Sequence, residues 1–338
     1  MCEVSRIDAE TGGRQGTAAP AAPGEPGRAG APGAGEPGRA GAPGPPVYRV
    51  RSSAPWWFLL PASALYLFVV LVPSGRGIWL GFTDWDGLNP VKHFIGFTNF
   101  RTILTDAAGR GAALNTLLIA VAVTVVQNAV GLGLALGVNA RLKSRNLLRV
   151  VLFTPAVLTP VVTAYLWKYL YAPDGAINAA LSGLGLGALH QDFLGNQDLV
   201  IWSVVGVVVW QFAGYSMVIF LAGLQGIPQE VLEQAAMDGA GPVRRFWYVV
   251  RPALAPAITI NLMLSIIGGL KLFDQVWVMT GGGPGHASET LSTLIYKNAF
   301  QFNQFAYSNA LAVVLTVFVA VFAAAQYRLL GRQEGEER

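Results

Sequence analysis

Six long apolar stretches, near residues 56–80, 113–138, 147–171, 199–224, 254–277 and 308–330, constrain this chain more than any other feature. A bilayer's hydrocarbon core is about 30 Å thick, which a helix of roughly 20 apolar residues crosses. Inside lipid the backbone has no water to bond, so each stretch must satisfy its own N–H and C=O groups as a helix. The expected fold class is all-α, a polytopic membrane helix bundle of about six transmembrane helices. Composition agrees. Of 338 residues, 53% are hydrophobic and 12% charged, where soluble domains carry about 25% charge. Pro61, Pro155 and Pro160 fall inside these stretches and should bend or break their helices, which neighbouring helices tolerate.

Net charge is +4, but its distribution excludes a nucleic-acid partner, because the basic residues flank the apolar stretches. The 139–149 connection carries Arg141, Lys143, Arg145 and Arg149, and the 225–253 connection carries Arg244, Arg245 and Arg251. Arg49 and Arg51 flank the first span, and Arg328, Arg332 and Arg338 follow the last. The 172–198 connection has no Lys or Arg, 278–307 has only Lys297, and 81–112 is less clean, with Lys92, Arg101 and Arg110. The positive-inside bias then places both termini and the two basic connections in the cytoplasm of a multi-pass plasma (inner) membrane protein in contact with lipid. Trp56 and Trp57 at one interface, and Tyr165, Trp167, Tyr169 and Tyr171 at the other, read as aromatic belts.

Residues 1–46 are rich in Gly, Pro, Ala and Arg, with EPGRAGAPG at Glu25–Gly33 repeated at Glu36–Gly44. The glycine period slips between the two copies, so collagen is excluded, and too little apolar surface is present to fold. A disordered cytoplasmic tail is expected, followed by a permease domain at 54–330 and a short cytoplasmic tail at 331–338. The segment does not read as a signal peptide, whose apolar core comes earlier and is shorter. Cys2 is the single cysteine, so no intrachain disulfide is possible. His93, His190 and His286 lie far apart and read as loop residues rather than metal ligands. The G-x-x-x-x-G-K-[ST] phosphate loop does not occur, since Lys143–Ser144 lacks its glycines. No catalytic residue, cofactor or metal is expected on this chain.

The 225–253 connection reads as structured. Pro228 suits a first helical turn. Val231, Leu232, Ala235 and Ala236 make one apolar face that the helix should bury, and Gly239 and Gly241 end that helix. Pro242 can open a second helix with Val243, Phe246, Trp247 and Val250 on its apolar side, and Pro252 should stop it. Two short helices around a glycine hinge make a docking element for another protein. Ile227–Pro256 (IPQEVLEQAAMDGAGPVRRFWYVVRPALAP) resembles the EAA loop of binding-protein-dependent ABC importer permeases, whose pattern is E-A-A, three residues, G, nine residues, I, one residue, L-P. Glu233, Ala235, Gly239 and Pro252 match, while Gln234, Val249 and Arg251 depart from it. Arg251 is expected to snorkel at the interface. The loop 227–252 is identified by this resemblance as the ATPase-coupling loop, with Glu233, Ala235, Asp238, Gly239 and Pro252 as its site residues.

Other segments are similar to the first-permease component of the maltose and glycerol-phosphate class: Pro55–Pro61 (PWWFLLP), Gly81–Trp85 (GFTDW), Gly96–Phe100 (GFTNF), Phe273–Asp274, Met279–Gly285 (MTGGGPG) and Glu289–Thr290. The resemblance implies import of a sugar or sugar-like solute. It also implies a second permease subunit, two ATP-binding subunits that hold ATP and Mg, and an extracytoplasmic solute-binding protein. Thr280–Gly285 is expected to be a turn-rich segment where that protein docks.

Polar residues inside spans are costly and are often functional. Thr124, Asn128 and Gly131 share one face of the second span, Gln211 and Tyr215 are i,i+4 on the fourth, and Asn261, Ser265 and Gly268 share a face of the fifth. Sugars need amides for their hydroxyls and aromatic faces for their apolar sides. Asn128, Gln211, Tyr215, Asn261 and Ser265 are therefore the candidate substrate-path residues, against the plainer role of interhelical hydrogen bonding. Lys271 and Asp274, three apart, are expected to pair. Gly133 and Gly137 form a GxxxG pattern suited to helix packing. An ion-coupled secondary transporter is the alternative class, but it would favour a carboxylate or histidine at mid-depth and inverted repeats, which the spans lack.

Overall fold

The computed structural model describes residues 56–140 and 143–335, so the expected tail at 1–46 lies outside the described residues. Among these residues the chain is helical, and the only extended pairing is an isolated bridge between Thr83 and Phe94. The helices are α1 (Trp57–Leu80), α2 (Thr98–Thr105), α3 (Ala107–Asn139), α4 (Arg145–Val157), α5 (Pro160–Leu170), α6 (Ala176–Gly183), α7 (Val200–Gln225), α8 (Gln229–Met237), α9 (Pro242–Ala253), α10 (Ala255–Leu270), α11 (Asp274–Met279), α12 (Leu291–Phe300) and α13 (Phe305–Gly335). By length and apolarity α1, α3, α7 and α13 can each cross a membrane alone. The pairs α4–α5 and α9–α10 pass the same test jointly, bent by 97° and 71°, which gives up to six spans.

The prolines act in three ways. Pro61 lies in the first turn of a helical segment, where its missing N–H costs nothing. Pro160 opens α5 after Leu158 and Thr159 turn extended, with Thr159 accepting from the Val162 N–H. The third apolar stretch is therefore broken in two rather than kinked. Pro73 and Pro252 are each preceded by a π-helical turn, Leu67–Leu71 and Phe246–Val250. The wider turn relieves the clash between a proline ring and the carbonyl four residues back. This corrects the expectation that Pro252 stops its helix: α9 runs through it to Ala253 and breaks at Leu254.

Other boundaries also moved. Asp106 accepts from the Gly109 N–H and starts α3 earlier than hydropathy suggested. Helix α10 ends at Leu270, several residues short of the expected end of the fifth span, and α13 extends past residue 330 to Gly335. The connections hold α2, α6, α11 and α12, which are too short or too mixed to stand out as apolar runs.

Helices α3, α7 and α10 pack against one another at the centre of the described core. Close approach explains two glycines. A Cβ on Gly131 would lie 2.6 Å from the Ser216 Cβ, and one on Gly269 would lie 2.7 Å from the Ala120 Cα. A Cβ on Gly133 or Gly137 would meet nothing within 4 Å, so the GxxxG pattern is not a packing face within this chain. Tyr171 stacks on Phe193 in the core and Trp167 packs against Tyr171 and edge-on to Trp210, while Tyr165 and Tyr169 are exposed, so of these four only the latter two fit an aromatic belt. No residue of α1 is buried by protein, as expected of a helix whose apolar surface needs only lipid around it.

Candidate functional site

Four of the five candidate path residues lie at helix–helix contacts. Asn128 Nδ2 on α3 donates to Ser265 Oγ on α10 at 2.8 Å, and Ser265 Oγ donates to the Asn261 carbonyl at 2.8 Å. Asn261 Nδ2 reaches across to the Ser216 carbonyl on α7 at 3.1 Å, and Gln127 Nε2 donates to Ser216 Oγ at 2.9 Å. One polar layer thus ties α3, α7 and α10 together. Asn128 Oδ1 is buried in it without a hydrogen-bond partner. Gln211 is fully buried. Its Nε2 donates to the Leu158 carbonyl at 2.9 Å, a group freed where the third span breaks, and its Oε1 accepts from Gln275 Nε2 at 2.9 Å.

Tyr215 is the exception. Its side chain is 43% exposed and lines a cavity of 320 Å³ together with Gln127, Phe212, Asn261, Ser265 and Gln275. Lys271, Phe273 and Asp274 also line this cavity. Asn128 and Gln211 do not line it. Sequence reasoning missed Gln127, Phe212 and Gln275. The signal available for Gln127 was its place beside Asn128, and for Gln275 an amide within the fifth apolar stretch. Lys271 and Asp274 form no ion pair, contrary to expectation, because Lys271 caps α10 and Asp274 opens α11, so the two do not share a helix turn.

Helices α8 and α9 form the expected pair around a glycine. The Gly239 N–H donates to the Ala236 carbonyl and the Ala240 N–H to the Ala235 carbonyl, while Gly239 takes φ +76°. These are the bonds of a Schellman cap, in which the residue after the cap is left-handed. Pro228 sits at the N-cap rather than in the first turn, and Pro242 occupies the first turn of α9 as expected. Glu233 is exposed and accepts from Gln229 Nε2 at 2.9 Å. Asp238 caps α8 and is exposed. Arg251 lies over the Trp247 ring at 5.5 Å.

The expectation that Val231, Leu232, Ala235 and Ala236 are buried is not met. No residue of α8 is buried, and Met237, Val243 and Tyr248 are among the most exposed apolar side chains. The pair follows α7 with its apolar faces only partly covered: Leu232, Ala235, Phe246 and Val250 are half-buried, and Val231, Val243 and Trp247 are exposed. Its anchor is Leu254, fully buried against Met217, Phe220, Leu221 and Leu224.

The glycine-rich segment follows α11 and lies against Gln197, just before the opposite end of α7. Gly281, Gly282, Gly285 and His286 all have positive φ. Thr280 Oγ1 and Ser288 Oγ bond each other at 2.8 Å, and Ser288 Oγ donates to the Gly283 carbonyl at 2.6 Å. Beneath it Glu289 is fully buried, accepting from Lys297 Nζ at 2.6 Å, Thr293 Oγ1 at 2.7 Å and His286 Nδ1 at 3.0 Å. Asn115 of α3 donates to the Ala287 and Glu289 carbonyls at 3.0 Å. The segment is a braced loop, and sequence reasoning missed the Glu289–Lys297 pair that braces it.

The other histidines have plain partners. The His93 backbone N–H and ring bond Asp84, and these bonds hold its carboxyl below the ordinary carboxylate range. The Asn89 and Leu88 N–H groups act likewise on Asp86. His190 Nε2 lies 2.8 Å from Ser182 Oγ and from the Asn178 carbonyl. Among the described residues no group of His, Cys, Asp or Glu has the spacing of a metal site.

A bundle of apolar helices, with a largely apolar cavity that carries a few polar side chains among its spans and an exposed, glycine-hinged helix pair at one end, has the build of a membrane permease. Residues 129–334 match the family described as binding-protein-dependent transport system inner membrane component, and the chain belongs to that family. It is 32% identical over 274 residues to the multiple sugar-binding transport system permease protein MsmF of Streptococcus mutans, covering 81% of this chain and 94% of that one. It is also 32% identical over 287 residues to the sn-glycerol-3-phosphate transport system permease protein UgpA of Yersinia pestis, covering 83% and 95%. The fold is that of a chain in the crystal structure of a bacterial ABC transporter involved in the import of the acidic polysaccharide alginate. The TM-score is 0.72 at 22% identity, over 82% of this chain and 94% of that one.

Proposed function

We propose that this chain is the path-forming permease subunit of an ATP-driven importer for a sugar or sugar-like solute, working with a second permease, two ATP-binding subunits and an extracytoplasmic solute-binding protein. The observation that carries the reading is the pairing of two features on α7. One flank carries Tyr215 toward the cavity, and one end carries the open α8–α9 pair. A ring face beside the amides of Gln127, Asn261 and Gln275 suits a solute with hydroxyls and apolar C–H faces. Glu233, Ala235, Asp238 and Gly239 sit on the element that would meet an ATPase, with Pro252 inside the helix that leads back to the span. Because Leu254 is clamped against the end of α7, a push on α8–α9 is delivered to α7 and α10, which together supply half of the residues lining the cavity. Relatives named as permeases of sugar and glycerol-phosphate systems support the solute class.

Both termini and the α8–α9 pair are cytoplasmic in this reading, by the placement of Lys and Arg. The braced loop at 280–289 is then extracytoplasmic, about 39 Å away along α7, and offers a preformed surface to the binding protein. The ion-coupled alternative finds no support: the fully buried carboxylate Glu289, in the connection before α12 and outside the spans, is paired with Lys297 of α12. The test is solute uptake by the reconstituted complex. Tyr215→Ala should lower uptake several-fold while subunit assembly is kept. Unchanged uptake kinetics in Tyr215→Ala and Asn261→Leu together would remove the cavity from the path.

A further inference from the structure

A second groove, of 400 Å³, lies outside the cavity and both docking elements. It is lined by Arg149, Val150, Phe153, Thr154 and Val157 of α4 and by Val218 of α7. The α4 residues follow the spacing i, i+1, i+4, i+5, i+8, a single stripe along one helix face. From Arg149 to Val157 the stripe is about 13 Å long, by the rise of an α-helix followed by a 3₁₀ turn. One leaflet of hydrocarbon is about 15 Å deep. Immediately beyond Val157 the chain breaks and turns by 97°, so the groove stops near mid-bilayer. A partner's spanning helix would need twice that length.

The groove has a polar head and an apolar body. Val150 and Val157 are 65% and 70% exposed. Arg149 forms no ion pair among the described residues, and its Nε is buried with no hydrogen-bond partner. Arg145 lies one turn nearer the membrane surface and Lys143 just beyond it, both exposed. A guanidinium matches a phosphate in planar, bidentate geometry. A negative headgroup above an apolar chain one leaflet deep is the complement of this groove. We propose that the groove binds one anionic phospholipid, its phosphate on Arg149 and an acyl chain along Phe153, Val157 and Val218. The assignment to the cytoplasmic leaflet rests on the orientation proposed above; the lipid chemistry does not. The bound chain braces α4 directly ahead of the break.

The test uses the full chain with its partner subunits, purified in detergent and exposed to phosphatidylglycerol or to phosphatidylcholine. Lipid retained after washing is counted by native mass spectrometry. One phosphatidylglycerol should be held about five- to tenfold better than phosphatidylcholine, the weight of one basic side chain at an anionic surface. Arg149→Gln should abolish that preference, and Val157→Trp should reduce retention with Arg149 intact by filling the groove. Inorganic phosphate should not displace the lipid. Equal retention of the two lipids by the wild type, or full retention by Arg149→Gln, would overturn the proposal. If Arg149→Gln fails to assemble, a photo-crosslinker at Val157 decides: lipid adducts sustain the site, and adducts only to another polypeptide make the groove a subunit contact. Adducts to lipid supplied only to the outer leaflet would keep the site and overturn the orientation.

Discussion

Replacing Gly239 separates the hinge from everything around it. Its φ of +76° lies in the left-handed region, and a Cβ built there meets no atom within 4 Å. Any penalty is then in the backbone alone, about 1–2 kcal/mol for an ordinary L-residue. That lowers the population of the hinge as it stands by roughly 5–30-fold. Asn adopts this conformation more readily than Ala, and a β-branched residue less so. The expected order of coupling is Gly, then Asn, then Ala, then Val. Gly239→Asp, which also changes the charge of the pair, should fall below Asn. The assay is ATP hydrolysis by the reconstituted complex, with and without loaded binding protein, at matched amounts of inserted permease. Stimulation should fall along the series while insertion is unchanged. Wild-type stimulation in Gly239→Val, or Asn worse than Val, would refute the argument that the left-handed hinge transmits the motion.

Three further outcomes follow from the packing. In a Cys2→Ser background, impermeant thiol reagents applied to intact cells should label a cysteine placed at 184–187 but not one at 143–144; the reverse pattern would invert the topology. Gln211→Leu strands the Leu158 carbonyl and the Gln275 amide, each worth about 1–3 kcal/mol when buried unpaired, so its thermal unfolding in detergent should come well below that of Tyr215→Phe, and equal midpoints would show that the amide chain does not hold the broken span. Glu289→Gln leaves Lys297 facing a neutral amide, at a cost of about 3–5 kcal/mol for breaking a buried pair. Glu289→Gln with Lys297→Met should regain much of the midpoint, and no recovery would show that the pair is not what braces the loop.

The spans were legible because lipid imposes length and apolarity on each of them separately. What escaped was set by tertiary contacts. The 97° break after Val157 needs the Gln211 amide to receive the freed Leu158 carbonyl, a contact between residues 53 apart that no local pattern announces. Pro252 read as a stop, because a proline-bearing helix continues only if the turn before it widens, and hydropathy does not report that widening. The α8–α9 pair was readable from its prolines and glycines, which fix backbone conformation locally, and the Schellman bonds at Gly239 follow from the same residues. Its apolar face was misread as buried because periodicity says which side chains share a face, not what covers it. In the cavity, Tyr215 stood out by chemistry, whereas Asn128 and Gln211 had the right chemistry in positions committed to helix contacts. Gly131 was placed on the polar face of its span but not read as a packing glycine, and Gly269 drew no notice, for the same reason that Gly133 and Gly137 did: only the facing helix decides which glycine is used.

The most direct test of the account is a cross-link from the tip of the α8–α9 pair. Met237 is 89% exposed, so a cysteine there, in the Cys2→Ser background, can carry a short bifunctional reagent without disturbing the core. In native membranes the predicted product is a single adduct with an ATP-binding polypeptide, formed on the cytoplasmic side, whose yield changes when ATP is added. Adducts confined to lipid, with the importer subunits shown to be present in the same membranes, would contradict the claim that this element couples the permease to an ATPase.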